Sequence, residues 1–307
     1  MITVLAGGVG AAKFLRGLVD VVDPATVTVI GNTADDEEFL GLHVSPDLDT
    51  IVYTLADVVD PETGWGIAGD TYTALEQADR LGEDVWFRLG DKDIATHLLR
   101  TRLLRSGQTL SQATSAIAAR FGIVCTLLPM TDDRVRTVVM TDAGEISFQE
   151  YFVHRGQQDE VRAIRFDGID KARPAPGVID SITQAGAVII APSNPLVSIG
   201  PILAVAGIRQ ALADTPATVA AISPIVGGRA LKGPADRMLT SLGHEASATG
   251  VARLYADFLD VLVLDDEDAA LADQVEALGV RAHVTGTIMR DAASRRALAE
   301  ATLKAIS

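Results

Sequence analysis

The chain begins Met1-Ile2-Thr3-Val4-Leu5-Ala6-Gly7-Gly8-Val9-Gly10. A short apolar run stops at three glycines, and Ala11 to Val21 then reads as an amphipathic helix, with Phe14, Leu15, Leu18 and Val22 at helical spacing. A strand therefore empties through a glycine turn into a helix. Such a turn lets backbone approach a ligand closely, and the first N–H groups of the helix lack internal partners and can donate to phosphate oxygens. Lys13 adds a cation beside that turn. A second apolar run, Val27 to Ile30, ends at Gly31-Asn32-Thr33, followed by Asp35-Asp36 and Pro46-Asp47-Leu48-Asp49-Thr50. A phosphate cradle and a group of carboxylates leaving adjacent strand ends suggest a divalent metal, Mg²⁺, between them.

Composition narrows the classes. With 48% hydrophobic and 22% charged residues over 307, the chain reads as globular, with a substantial core. Its net charge of −15 argues against nucleic acid or an anionic membrane as a broad-surface partner, while leaving local phosphate binding open. Cys125 lies in the apolar run Ile123 to Leu128 and reads as a core residue; a lone cysteine excludes an internal disulfide. No segment has the eighteen or so apolar residues that span a bilayer, and the N-terminus lacks a signal-peptide layout, so the expected compartment is the cytoplasm.

Along the chain, helices are expected over Ile51 to Val59, Thr71 to Leu81, Ile94 to Leu104 and Leu110 to Phe121, and a turn-rich loop from Asp60 to Gly66 exposes Trp65. Ile123 to Leu128 is a strand candidate. Arg134 to Met140 and Glu145 to Val153 form a hairpin pattern around Asp142-Ala143-Gly144, and Val161 to Phe166 alternates as a further strand. From Val178 onward an α/β rhythm returns, with all-apolar strands at Ala187 to Ala191, Thr218 to Ile222 and Val261 to Leu264, then Val280 to Val284 and a closing helix, Ala292 to Ile306. The expected fold is a doubly wound, mostly parallel Rossmann-like α/β sheet in a single domain spanning 1–307. A helical and hairpin insertion is expected over about 51–166.

In such a sheet ligands bind beyond the carboxyl ends of the strands. Four loops leaving those ends are rich in small or polar residues: Gly7 to Gly10, Gly31 to Asp36, Pro192 to Pro195 and Ser223 to Gly228. A nicotinamide site would want an acidic residue where Asn32 stands, which weakens that reading. Asp35 and Asp36 have a bland reading as solvated loop charges, Asp47 as a helix cap, Asp91 as a cap and Arg88 as a surface arginine. His97 reads as packed rather than as a general base. Neither a Gly-x-Ser-x-Gly elbow nor a P-loop sequence is present.

Together the motifs resemble one family. Leu5-Ala6-Gly7-Gly8-Val9-Gly10-Ala11-Ala12-Lys13, Asn32-Thr33-Ala34-Asp35-Asp36, Ser45-Pro46-Asp47-Leu48-Asp49-Thr50, and Arg88 to His97 look like the 2-phospho-L-lactate transferases of deazaflavin coenzyme F420 biosynthesis. Leu128 to Asp133, Phe148-Gln149-Glu150, Ala191 to Pro195, Ser198 to Pro201 and Ser223 to Gly227 continue the likeness in the same order.

The resemblance implies transfer of a phosphorylated three-carbon acid from a guanosine-diphosphate-linked donor to the ribityl hydroxyl of the deazaflavin Fo, with release of GMP. It implies that Asp49 and Arg88 contact the deazaflavin, that Asp35 and Asp49 ligate Mg²⁺, and that Gly7, Gly8, Gly10, Ser193 and Asn194 surround the diphosphate, with Lys13 and Asn32 beside them. Asp49 is expected to orient or accept the proton of the attacking hydroxyl, and Asp49→Ala to abolish turnover with the fold intact. Phosphoenolpyruvate, 2-phospho-L-lactate and 3-phospho-D-glycerate all remain open as the acid. A homodimer is expected. The competing reading is a non-catalytic sugar-nucleotide-binding regulator of the same fold.

Overall fold

The computed structural model describes all 307 residues. Its first half contains β1 (Ile2–Ala6), α1 (Gly8–Leu18), β2 (Val27–Gly31), β3 (Glu37–Phe39), β4 (Leu42–Val44), α2 (Pro46–Leu55), α3 (Thr73–Arg80), α4 (Asp91–Arg105) and α5 (Leu110–Arg120). The chain continues through β5 (Thr126–Pro129), β6 (Arg136–Thr141), β7 (Gly144–Ser147), β8 (Val161–Asp167), α6 (Val178–Thr183), β9 (Ala187–Ile190), α7 (Ile199–Ala204) and α8 (Ile208–Asp214). It closes with β10 (Thr218–Ile222), the short pair β11 (Ile225–Val226) and β12 (Arg229–Ala230), α9 (Ala235–Ser241), α10 (Ala248–Tyr255), β13 (Val261–Leu264), α11 (Ala272–Glu276), β14 (Arg281–Val284) and α12 (Ala292–Ile306).

Seven strands form one parallel sheet in the order β14-β13-β10-β9-β1-β2-β5. The central strands β1, β2, β9, β10 and β13 are almost wholly buried, which explains their continuous apolar runs in place of alternation. One face packs on α1, α2 and α12 through Phe14, Leu15, Ile51 and Leu298; the other packs on α6, α7, α8 and α10 through Ile182, Ile202, Ile208 and Val251. The doubly wound expectation holds. Strand order reverses between β1 and β9, so the crevice favoured for ligands opens between Gly7 and Pro192.

Three local readings change. Residues 51–166 do not make a continuous insertion, because β5 returns to the central sheet as the edge strand beside β2. Helices α3 to α5 thus form one excursion and the β7-β6-β8 antiparallel sheet a second. The hairpin β3–β4, between β2 and α2, was absent from the sequence reading; three-residue strands carrying Glu37-Glu38 show no clear period. Glu150–Val153, the end of the expected strand from Glu145, lies instead in a wide π-helical turn over Glu150–His154.

No helix is long and apolar enough to cross a membrane. Cys125 is buried, and burial pushes its thiol up to about 11, so it is un-ionised at neutral pH and has no nucleophilic character there.

Candidate functional site

The glycine turn after β1 packs so closely that side chains are excluded. A Cβ on Gly7 would stand 2.7 Å from Ser198 Cβ and 2.8 Å from Asp47 Oδ2, and one on Gly10 would stand 2.3 Å from the Pro192 carbonyl oxygen. The turn therefore joins β1, α2 and the loop after β9 at the reversal point of the sheet. A Cβ on Gly8 would stand 3.9 Å from Asp47 Oδ1, so a negative side chain lies at the start of α1.

Asn32, fully buried after β2, organises the acidic residues. Its side-chain oxygen accepts from the Ala34 amide at 3.0 Å, which turns the side-chain nitrogen toward two carboxylates. That nitrogen donates to Asp35 Oδ2 at 3.0 Å and to Asp47 Oδ2 at 2.9 Å. Burial raises the Asp35 carboxyl well above the usual range, and the charge of Asp47 raises it further. Asp47 is pushed up to about 6, chiefly by burial, against the Asn32 donor. Asp36 turns away to His43 Nε2 at 3.0 Å and accepts from Ser45 Oγ at 2.6 Å.

These two carboxylates satisfy a simple test for a divalent cation. Asp35 Oδ1 is buried without a hydrogen bond of good geometry, with the Thr137 hydroxyl close to the carboxylate, and the Asp35 and Asp47 charges repel across a shared donor. A cation would satisfy that oxygen and cancel the repulsion. No three ligating side chains converge, which suits an ion that takes one or two carboxylates and fills its remaining positions with phosphate and water.

Asp49, expected to share the ion with Asp35, is committed elsewhere. Arg100 of α4 grips both of its oxygens, with Nη1 3.0 Å from Oδ2 and Nη2 on Oδ1. Burial opposes the guanidinium charge, and Asp49 more than offsets it. His97 Nδ1 lies 3.7 Å from Asp49 and its Nε2 lies 3.2 Å from Asp93 Oδ1, which also accepts from the Tyr53 hydroxyl at 2.5 Å. Asp49 thus belongs to a buried α2–α4 network rather than to an open ion site, and His97 is packed as expected. Asp49 and Asp47 lie in the same turn of α2, but their side chains leave it toward different neighbours. The sequence could not rank them.

Arg88 is exposed, with its guanidinium 4.2 Å over the Tyr72 ring and no carboxylate partner. It sits just before α4, the helix whose Arg100 grips Asp49. Asp91 does cap a helix, though not its own: it accepts from the Thr73 and Ala74 amides of α3 at 3.1 and 2.9 Å. Asp70 in turn takes the Lys92 and Asp93 amides that open α4.

The loop after β9 divides its two expected residues. Ser193 Oγ accepts from the Gly7 amide at 3.3 Å and so stands at the glycine turn. The Asn194 oxygen is spent on the amides of Leu196 and Val197 within its own loop, and its nitrogen lies 3.7 Å from Met238 Sδ. Asn194 shapes the loop with its oxygen, and its nitrogen keeps one N–H beyond the long contact to Met238. Asp47, read from sequence as a cap, and Arg100, not singled out at all, are the residues that the sequence reading missed. The Asp47-Leu48-Asp49 spacing is the one signal that could have raised Asp47.

Comparison with known proteins identifies the family. The model of the family described as 2-phospho-L-lactate transferase CofD matches residues 2–299. A phosphoenolpyruvate transferase from Streptomyces griseus is 45% identical, covering 99% of this chain and 97% of its own. The 2-phospho-L-lactate transferase of Methanopyrus kandleri is 41% identical, covering 99% and 97%. Among solved structures, a member of the UPF0052 family from Bacillus halodurans superposes with a TM-score of 0.68 at 16% identity, covering 98% of each chain, which supports the fold. A family match over residues 2–299, with relatives 45% and 41% identical over 99% of the chain, places this chain in the 2-phospho-L-lactate transferase CofD family.

Proposed function

We propose that this transferase moves a phosphorylated three-carbon acid from a guanosine-diphosphate-linked donor to the terminal ribityl hydroxyl of Fo, releasing GMP. The observation that carries the reading is the Asn32 side chain bridging Asp35 and Asp47 beside Gly8. It supports binding of a diphosphate through a shared cation rather than directly in a bare amide nest, since Asp47 already occupies the start of α1.

Asp35 and Asp47 are the residues that would hold Mg²⁺. The bound ion supplies charge neutralisation to the diphosphate. Phosphoryl transfer asks the protein mostly for alignment and electrostatic stabilisation, so a strong base need not stand at Asp49. In this reading Ser193 and the Gly7–Gly10 backbone face the donor, Arg88 offers a free cation to the acceptor, and Asp49 with Arg100 fixes α2 against α4. The names of the relatives leave phosphoenolpyruvate and 2-phospho-L-lactate as the leading acids. A homodimer in the cytoplasm completes the proposal, and light scattering reads the dimer.

The test is incubation with Fo, Mg²⁺ and each guanosine-diphosphate-linked acid, followed by mass spectrometry. One acid should give a product carrying Fo plus the phospho-acid, with GMP in equal amount. Absence of product from every donor would remove the reading. The competing regulator of the same fold would bind no deazaflavin.

A further inference from the structure

Two lysines from distant parts of the chain lie beside the glycine turn with no carboxylate to neutralise them. Lys13 is one helical turn beyond Val9 on α1, so the two side chains share a face. Against that face lies the loop from Asp60 to Gly66: a Cβ on Gly64 would stand 2.9 Å from Val9 Cγ1 and 3.5 Å from Lys232 Nζ. Lys232, in the loop after β12, donates to the Thr63 carbonyl at 2.5 Å. Lys232 is an exposed residue, and its ammonium is lowered from the ordinary range first by local desolvation and then by the charge of Lys13.

The 60–66 loop is itself a built feature. The Asp60 carboxylate accepts from the Glu62 and Thr63 amides at 2.8 and 3.3 Å, the Thr63 hydroxyl donates to the Trp65 carbonyl at 2.6 Å, and the Asp60 amide closes onto the Gly66 carbonyl at 3.1 Å. It therefore presents the Thr63 carbonyl at a fixed place, and Lys232 is held there with one donor used and two free. Like charges crowd on this face in a protein of net charge −15, although carboxylates outnumber cations by 41 to 26. Neither lysine forms an ion pair, which is equally true of Lys92, Lys171 and Lys304, so it is the placement of these two beside the glycine turn that sets them apart. Such a placement is unfavourable without an anion to receive it.

We propose that Lys13 and Lys232 form a two-cation seat for the diphosphate of the donor nucleotide, with the 60–66 loop as the strap that fixes Lys232. The inference rests on the donor class named in the proposed function, and adds a residue from the far end of the chain to its binding. Lysine suits the task as a point charge that reaches a phosphate oxygen without imposing a planar geometry.

The test is calorimetric binding of guanosine diphosphate and, separately, inorganic pyrophosphate to the full chain. It compares the unaltered protein, Lys13→Gln, Lys232→Gln, the double variant and Lys232→Arg, with thermal melting of each. Each Gln variant should weaken both ligands about tenfold, Lys232→Arg should recover most of the loss, and the double variant should flatten the dependence of affinity on salt. Unchanged affinity in both single variants overturns the seat, as does a Lys232→Gln variant that melts early while binding normally, because that outcome makes Lys232 only a strap anchor. Loss of pyrophosphate binding in the variants of a protein that transfers no acid to Fo would sustain the seat and remove the proposed reaction. Normal turnover and donor KM in the double variant would do the reverse.

Discussion

Asp35 and Asp47, twelve positions apart and on different elements, receive the same side-chain nitrogen of Asn32, at 3.0 and 2.9 Å. Two carboxylates that meet one donor at the mouth of a glycine turn are costly in isolation and serve a bound cation well. That relationship sets the first prediction. Asp47→Asn should abolish acid transfer while leaving the fold intact, read by product mass spectrometry alongside circular dichroism. An Asp47→Asn enzyme with ordinary turnover would show that the pair is structural.

The pH dependence of the metal-free protein follows from the same pair. Asp47 stands near 6 folded against 3.8 for the free side chain, so folding takes up a proton in that window. Stability should therefore fall as pH rises from about 4 to about 6, by about 1–2 kcal/mol once the partial exposure of Asp47 is discounted. Urea unfolding with chelator present, across pH 4 to 7, measures it. Asp47→Asn should flatten that part of the curve, and Mg²⁺ affinity should weaken below about pH 6 as the ligand protonates.

Arg100 and Asp49 behave differently. Removing one partner of a buried pair leaves the other charge uncompensated, so Arg100→Met should cost about 3–5 kcal/mol, and Asp49→Ala a similar amount. This replaces the expectation that Asp49→Ala leaves the fold intact. Denaturant midpoints decide between the two, and an Asp49→Ala protein as stable as the parent would restore the earlier view.

Arg88 lends itself to a cleaner substitution. It is exposed and has no ionic partner, so Arg88→Ala should leave stability within about 0.5 kcal/mol. Affinity for Fo should fall about tenfold if this cation faces the acceptor, read through deazaflavin fluorescence titration.

The sheet was legible because its strands are buried on both faces and so run as unbroken apolar segments, from Ile2 to Ala6 and from Ala187 to Ile190. The candidate site could be placed at one edge for the same reason: parallel strands bring all their carboxyl ends there. What could not be read was which of several neighbouring carboxylates faces outward. Asp47 and Asp49 differ by two positions, a rotation of about 200° around a helix, and that rotation decides between the glycine turn and Arg100. Arg100 itself sits mid-helix among Leu98, Leu99 and Leu103, where a buried arginine leaves no periodic trace. Asn194 could not be weighed because its loop position suits a ligand while its side-chain oxygen is used by the loop.

The central proposal is that Asp35 and Asp47, and not Asp49, would hold a cation that brings the donor diphosphate to the glycine turn. Mn²⁺ binding in the presence of guanosine diphosphate, followed by electron paramagnetic resonance in Asp47→Asn and Asp49→Asn proteins that both remain folded, tests it directly. The expected result is loss of bound Mn²⁺ in Asp47→Asn and its retention in Asp49→Asn. Retention in the first with loss in the second would contradict the assignment.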